Sequence, residues 1–250
     1  MIRLHRSPAH LVTLLSALAL TIGMLLSSPG VPVQAGTEVI CFRILHASPD
    51  APNLDVFVQN TRVARNLAYT KFSRTWHLAP GSIRVRVYAT PGDQNAQAYR
   101  DIQINLDLLD PGLCYLIVIG NTNAAMEIFT FPDPPVPPAG QFTIRLANLA
   151  PNAPPLDLTK SDGTPLIGNV PFKSATPSNY PPGSYSLQIK QTGTGTVLLD
   201  LGTQTFRSRT RQTVYVFDAG GPQPNVRPQS AQAAPRVLIC DEHERICRPH

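Results

Sequence analysis

The stretch Ile44-Leu45-His46-Ala47-Ser48-Pro49-Asp50-Ala51-Pro52-Asn53-Leu54-Asp55-Val56 returns 102 positions later as Leu146-Ala147-Asn148-Leu149-Ala150-Pro151-Asn152-Ala153-Pro154-Pro155-Leu156-Asp157-Leu158. Each copy reads as an apolar strand that runs into a stiff corner. Pro49 and Pro52 fix their own φ and push Ser48 and Ala51 toward extended backbone, and a second strand opens near Leu54. The chain is therefore expected to be a duplicated β framework.

On either side of the first copy, residues 39–45 and 114–119 are near-continuous apolar runs, suited to strands covered on both faces. Beyond the Ala79-Pro80-Gly81-Ser82 turn the pattern alternates, with Ile83, Val85 and Val87 against Arg84, Arg86 and Tyr88. The second copy repeats this after Pro181-Pro182-Gly183-Ser184, with Tyr185, Leu187 and Ile189 against Ser186, Gln188 and Lys190. Apolar parity is kept while the outward face changes from basic to neutral, so the copies share a core. Asn169-Val170-Pro171-Phe172 likewise mirrors Asn66-Leu67-Ala68-Tyr69, and Trp76, the only Trp, reads as packing.

With 26 Pro, 16 Gly, few charges and no long segment of 3.6-residue period, the chain reads as all-β. Two tandem Ig-like β-sandwich domains are predicted, over residues 37–131 and 141–218. The Pro-rich linker 132–140 should hold them apart as a semi-rigid spacer. Residues 219–250 are expected to be a flexible, disordered tail ending in a Cys-bounded hairpin.

The N-terminus carries Arg3 and Arg6, an uncharged run over 11–26 and then Val33-Gln34-Ala35, the layout of a secretory signal peptide spanning 1–35. No second apolar span follows, so a secreted or cell-surface protein with no membrane span in its mature form is expected. Removing that segment leaves 19 basic against 16 acidic residues. Arg207, Arg209 and Arg211 form the one basic cluster and lack interleaved aromatics, so no nucleic-acid partner is expected.

The His46–Pro52 corner, with Asn66-Leu67-Ala68-Tyr69 and Leu78-Ala79-Pro80-Gly81-Ser82-Ile83-Arg84-Val85, resembles the bacterial exported domain family DUF4397. The resemblance covers residues 40–131, with a degenerate second copy over 141–218. It implies a β-sandwich module of exported proteins and no chemistry. In the second copy His46, Ser48 and Asp50 become Asn148, Ala150 and Asn152, so a role needing those side chains should not be duplicated there.

Four cysteines in an exported chain favour disulfides. Cys41 and Cys114 fall in the two doubly covered strands, and their counterparts, about Thr143 and Gln212, are absent together, which favours one bridge over two free buried thiols. Cys240, His243, Cys247 and His250 have spacing that would suit tetrahedral zinc, although a Cys240–Cys247 disulfide closes the same hairpin more simply. His46, Ser48, Asp50, Asn53 and Asp55 crowd one corner and are the candidate ligand-binding residues. Calcium would need about six oxygens, and the second copy offers only Asn152 and Asp157, so Asp and Asn capping a turn explains them better.

No nucleophile elbow, metalloprotease helix or phosphate loop is present, so no catalytic residue and no cofactor are expected. Two functions follow. One is an exported non-catalytic surface, matrix or adhesion module whose partner is unknown, a cell-envelope glycan or surface protein being the candidate classes. The other is a carbohydrate-binding or hydrolytic protein using His46, Asp50 and Asp55.

Overall fold

Alternating apolar residues punctuated by Pro and Gly turns leave the backbone few options besides ladders. A computed structural model describes residues 39–92, 97–110, 112–220 and 235–249. The predicted signal peptide lies outside them. The first half contributes β1 (Ile40–Ala47), β2 (Leu54–Val58), β3 (Thr61–Leu67), β4 (Trp76–Leu78), β5 (Ser82–Ala89), β6 (Arg100–Asn105), β7 (Cys114–Gly120) and β8 (Glu127–Pro132). The second contributes β9 (Phe142–Asn148), β10 (Leu156–Lys160), β11 (Pro165–Val170), β12 (Ser174–Tyr180), β13 (Gly183–Gln191), β14 (Val197–Phe206), β15 (Arg211–Phe217), β16 (Arg236–Asp241) and β17 (Ile246–Pro249). Apart from one 3-10 turn at Leu106–Leu108, the described residues hold no helix.

The duplication is complete at the level of topology. In the first half the sheets run β4-β1-β7-β8 and β3-β2-β5-β6, and in the second β12-β9-β15-β16-β17 and β11-β10-β13-β14. In each half the first and seventh strands pair in parallel, β1 with β7 and β9 with β15. Each half closes over its own core: Phe42, Ile44, Val56, Val85 and Ile117 in the first, and Phe142, Ile144, Leu158, Leu187 and Val214 in the second. Both are therefore β-sandwiches.

Two expectations about domain layout are corrected. The halves are not held apart, because a third apolar cluster joins them, with Leu45, Ala47, Leu116 and Val118 of the first half packed among Ala147, Leu149, Tyr215 and Phe217 of the second. The cause is the second apolar parity of β1, β7 and β15, which a lone sandwich would leave in water and which burial stabilises at roughly 25 cal/mol per Å². The Pro-rich segment lies along the second half, where its carbonyls, unused by any ladder, accept hydrogen bonds. Pro132 O takes one from Arg145 Nη1 at 2.6 Å, Pro134 O one from Arg211 Nη1 at 3.1 Å, and Pro135 O one from Thr143 Oγ1 at 3.2 Å.

Nor do residues 235–249 belong to a disordered tail. β16 is the eighth strand of the second sandwich, occupying the place that β8 holds in the first, and β17 extends that sheet by one edge strand. The equivalence holds to the strand ends, where Asp133 N–H donates to Cys114 O at 2.8 Å and Glu242 N–H donates to Arg211 O at 2.9 Å. The second sandwich therefore runs to Asp241 and is interrupted by residues 221–234, which lie outside the described residues.

Cys41 and Cys114 are directly paired across β1 and β7 and form a disulfide, with Cα atoms 4.5 Å apart. The register sets Thr143 opposite Arg211, one residue before the expected counterpart Gln212.

Candidate functional site

The corner that ends β1 is built by its own side chains. His46 is fully buried and both ring nitrogens are engaged within the turn: Nδ1 accepts from Ser48 N–H at 3.3 Å, and Nε2 lies 3.0 Å from Pro52 O. That pairing requires the neutral ring with its proton on Nε2. Burial pushes the imidazole down to about 4, opposed only in part by the Pro52 carbonyl.

Asp55 is buried as well. Its Oδ1 accepts from Asn66 N–H at 2.7 Å and Thr90 Oγ1 at 2.9 Å, and its Oδ2 from Gly92 N–H at 3.0 Å. Burial alone would raise this carboxyl, but those donors, with Arg62 at 4.0 Å, outweigh it and hold Asp55 below the usual range. Gly92 permits the approach, since a Cβ there would lie 2.6 Å from Tyr88 Cβ and 3.0 Å from Asp55 Cβ.

The second half makes the same bonds. Asn148 Oδ1 accepts from Ala150 N–H at 3.2 Å and its Nδ2 donates to Pro154 O at 3.3 Å, reproducing with an amide what His46 does with a ring. Asp157 Oδ1 accepts from Asn169 N–H at 2.7 Å and Thr192 Oγ1 at 2.5 Å, as Asp55 does from Asn66 and Thr90. Asn66 and Asn169 share a left-handed backbone, at φ 51° and 54°, a conformation that Asn tolerates. The expectation that the His46 role could not be duplicated is thus corrected: the turn needs an acceptor and a donor at fixed spacing, not an imidazole.

The other corner residues diverge. Asp50 is exposed and its Oδ1 accepts from Asn123 N–H at 2.6 Å, Asn53 Nδ2 donates to Asn66 Oδ1 at 2.9 Å, and Ser48 is buried with its hydroxyl unpartnered. The His46 ring hydrogen-bonds to neither Asp50 nor Asp55. At the other candidate site, a disulfide joins Cys240 and Cys247, with Cα atoms 4.0 Å apart, and removes both sulfurs from the zinc arrangement. His243 is exposed, and His250 lies outside the described residues.

Two consequences of the corner can be measured. His46→Ala should destabilise the protein by about 2–3 kcal/mol, since two turn groups lose buried partners, whereas His46→Asn should recover more than half of that by copying Asn148. Denaturant midpoints of the two variants check this. The imidazole also couples stability to pH. Because its folded value is depressed from 6.5 to about 4, its stabilisation is whole above pH 6.5 and is lost as pH falls from there through 4, by about 3 kcal/mol in all. In His46→Asn that acid-side slope should flatten, as stability measured from pH 7 to 4 would show.

Sequence reading missed the polar centre between the halves. Arg43 of β1 and Arg145 of β9 occupy equivalent positions of the repeat, and both reach Glu242, in the turn between β16 and β17. Arg43 Nη2 pairs with Glu242 Oε2, Arg145 Nη2 lies 3.3 Å from Oε1, and Tyr215 OH donates to Oε1 at 2.7 Å. The Arg43 and Arg145 side chains are 4% and 3% exposed and that of Glu242 0%. Burial pushes the Glu242 carboxyl up, yet the two guanidinium groups with the Thr213 and Tyr215 hydroxyls prevail and hold it below its ordinary value. Beside them Arg245 Nη2 pairs with Asp133 Oδ2 at 2.9 Å. The available signal was an arginine at the same place in both copies, inside otherwise apolar strands.

Fold and corner together define a duplicated, disulfide-bonded β-sandwich protein. Residues 41–159 match the family model of DUF4397, a domain of unknown function. The match extends beyond the expected residue 131, across the Pro-rich segment and into β10. No curated protein matches. Among solved structures the chain is similar to the Bacillus anthracis TIE protein, at 10% identity and a TM-score of 0.24, covering 71% of this chain and 33% of that one. It is also similar to a leucine-rich repeat protein from Bacteroides thetaiotaomicron, at 16% identity and a TM-score of 0.19, covering 70% and 25%. The chain spans a third or less of the length of either.

Proposed function

We propose that this protein works outside the cell as a non-catalytic binding module, exported by its N-terminal segment and recognising a component of the cell envelope. The observation that carries this reading is that the side chains repeated at the two corners, His46 with Asn148 and Asp55 with Asp157, are engaged in the same loop-capping bonds in both halves. A reactive group needs a free lone pair or a transferable proton facing a substrate, and His46 offers neither. Two disulfides fit an oxidising compartment. Among the described residues no helix is long and apolar enough to cross a membrane.

The test is solid-phase binding of the disulfide-bonded chain to envelope fractions, with Asp50→Ala and Asn53→Ala beside it. Binding that survives both substitutions is expected. Loss of binding in either, or sugar release from a glycan substrate that His46→Asn abolishes, would transfer the function to the corner.

A further inference from the structure

Between the loop that precedes β4 and the β16–β17 hairpin lies a groove of about 750 Å³, within the size range of small-molecule sites. Arg43, Lys71, Phe72, Arg74, Arg236 and Arg245 line it, and no acidic side chain does. Arg43 and Arg245 are matched by Glu242 and Asp133. Lys71, Arg74 and Arg236 are exposed, and among the described residues no carboxylate pairs with them. The buried Arg43 also has an Nε proton without an acceptor.

Aromatic rings accompany these cations. The Arg74 guanidinium lies 3.8 Å from the centre of the Trp76 ring, Arg43 lies 4.6 Å from that of Phe72, and Arg236 5.8 Å from that of Tyr69. A guanidinium placed over a ring can still turn its donor edge to bidentate contact with a carboxylate or phosphate. The chain's own residues 221–234 contain no Asp or Glu and supply no such anion.

We propose that this groove binds an anionic polysaccharide, its carboxylate or phosphate groups meeting Lys71, Arg74 and Arg236. The assignment rests on the reading of the protein as an exterior binding module and names the chemistry of its partner.

The experiment measures binding of the full disulfide-bonded chain to polygalacturonate and to phosphorylated mannan, with dextran and poly-L-glutamate as comparators. At least one anionic glycan should bind, and the recognised group is the one whose polymer does. The triple variant Lys71→Ala/Arg74→Ala/Arg236→Ala, whose fold is checked by its unfolding midpoint, should bind about a hundredfold more weakly, the effect of deleting one or two charge-assisted hydrogen bonds. The double variant Arg207→Ala/Arg209→Ala, at an exposed basic pair outside the groove, should bind as the parent does.

Equal loss in both variants would reduce the effect to overall charge and overturn the site. Binding to poly-L-glutamate as tight as to the glycans would overturn the sugar assignment, and dextran binding of equal strength the anion assignment. No binding to either anionic glycan overturns the proposal. If envelope fractions are still bound in that case, the exterior-module reading stands and the groove alone is wrong.

Discussion

Glu242→Ala is expected to destabilise the protein by about 3–5 kcal/mol, because it leaves Arg43 and Arg145 buried with no counter-charge. The size follows from where these groups sit. None of the three side chains is more than 4% exposed, so water cannot replace the lost carboxylate, and Tyr215 OH loses its acceptor as well. Glu244→Ala, two residues on and exposed, should stay within about 0.5 kcal/mol. Glu242→Gln keeps an acceptor without the charge and should fall between them. Replacing the set together, as Arg43→Met/Arg145→Met/Glu242→Leu, should cost less than Glu242→Ala, since no buried charge is left unpaired and only the Tyr215 and Thr213 hydroxyls lose partners. Urea midpoints at constant slope separate the four variants. A Glu242→Ala midpoint no different from that of Glu244→Ala would show that the arginines find water or other acceptors, and that the hairpin is not what seals the two halves.

Much of the framework was legible in the sequence because a β-strand's two faces are written in alternate residues. The alternation of Ile83, Val85 and Val87 placed β5, and the repeated Pro corner placed the end of β1 and start of β2, and likewise of β9 and β10. What failed was the assembly of the parts. The doubly apolar runs at residues 39–45 and 114–119 announced a covering layer on each side, but five prolines over 132–140 suggested a spacer. A short extended segment and a tight contact between its flanking modules are compatible, provided that the segment lies along one of them. β16 was missed for a related reason. Residues 221–234 read as a terminus, so a strand beyond them looked like tail, although the β8 of the first copy already implied an eighth strand in the second. At the corner the residue types were visible but their partners were not. That Asn148 substitutes for His46 depends on atoms two and six residues onward lying within hydrogen-bond reach, which only the folded turn determines.

Removing the Cys41–Cys114 disulfide as Cys41→Ala/Cys114→Ala is expected to lower stability by about 4 kcal/mol in the chain-entropy model, against about 2 kcal/mol for Cys240→Ala/Cys247→Ala. The difference comes from loop length, since the first bridge spans 73 residues and the second 7. A further effect separates the two pairs. Cys240 is buried in the apolar cluster between the halves, and its bridge ties β16 to β17 on either side of the turn that carries Glu242. Loss of the short bridge should therefore interact with Glu242→Ala. A double-mutant cycle should give a coupling of about 1 kcal/mol, as neighbours acting through one element do. The long bridge joins β1 to β7 within the first sandwich; neither strand pairs with the hairpin, and the bridge reaches Glu242 only through Arg43, two residues along β1. Its cycle with Glu242→Ala should be additive within about 0.5 kcal/mol. Denaturant unfolding of the single, paired and combined variants under non-reducing conditions measures both terms. Coupling at the long bridge with none at the short one would mean that Glu242 is held by the first half alone. The hairpin would then be a passenger on the second sheet, without a part in closing the protein.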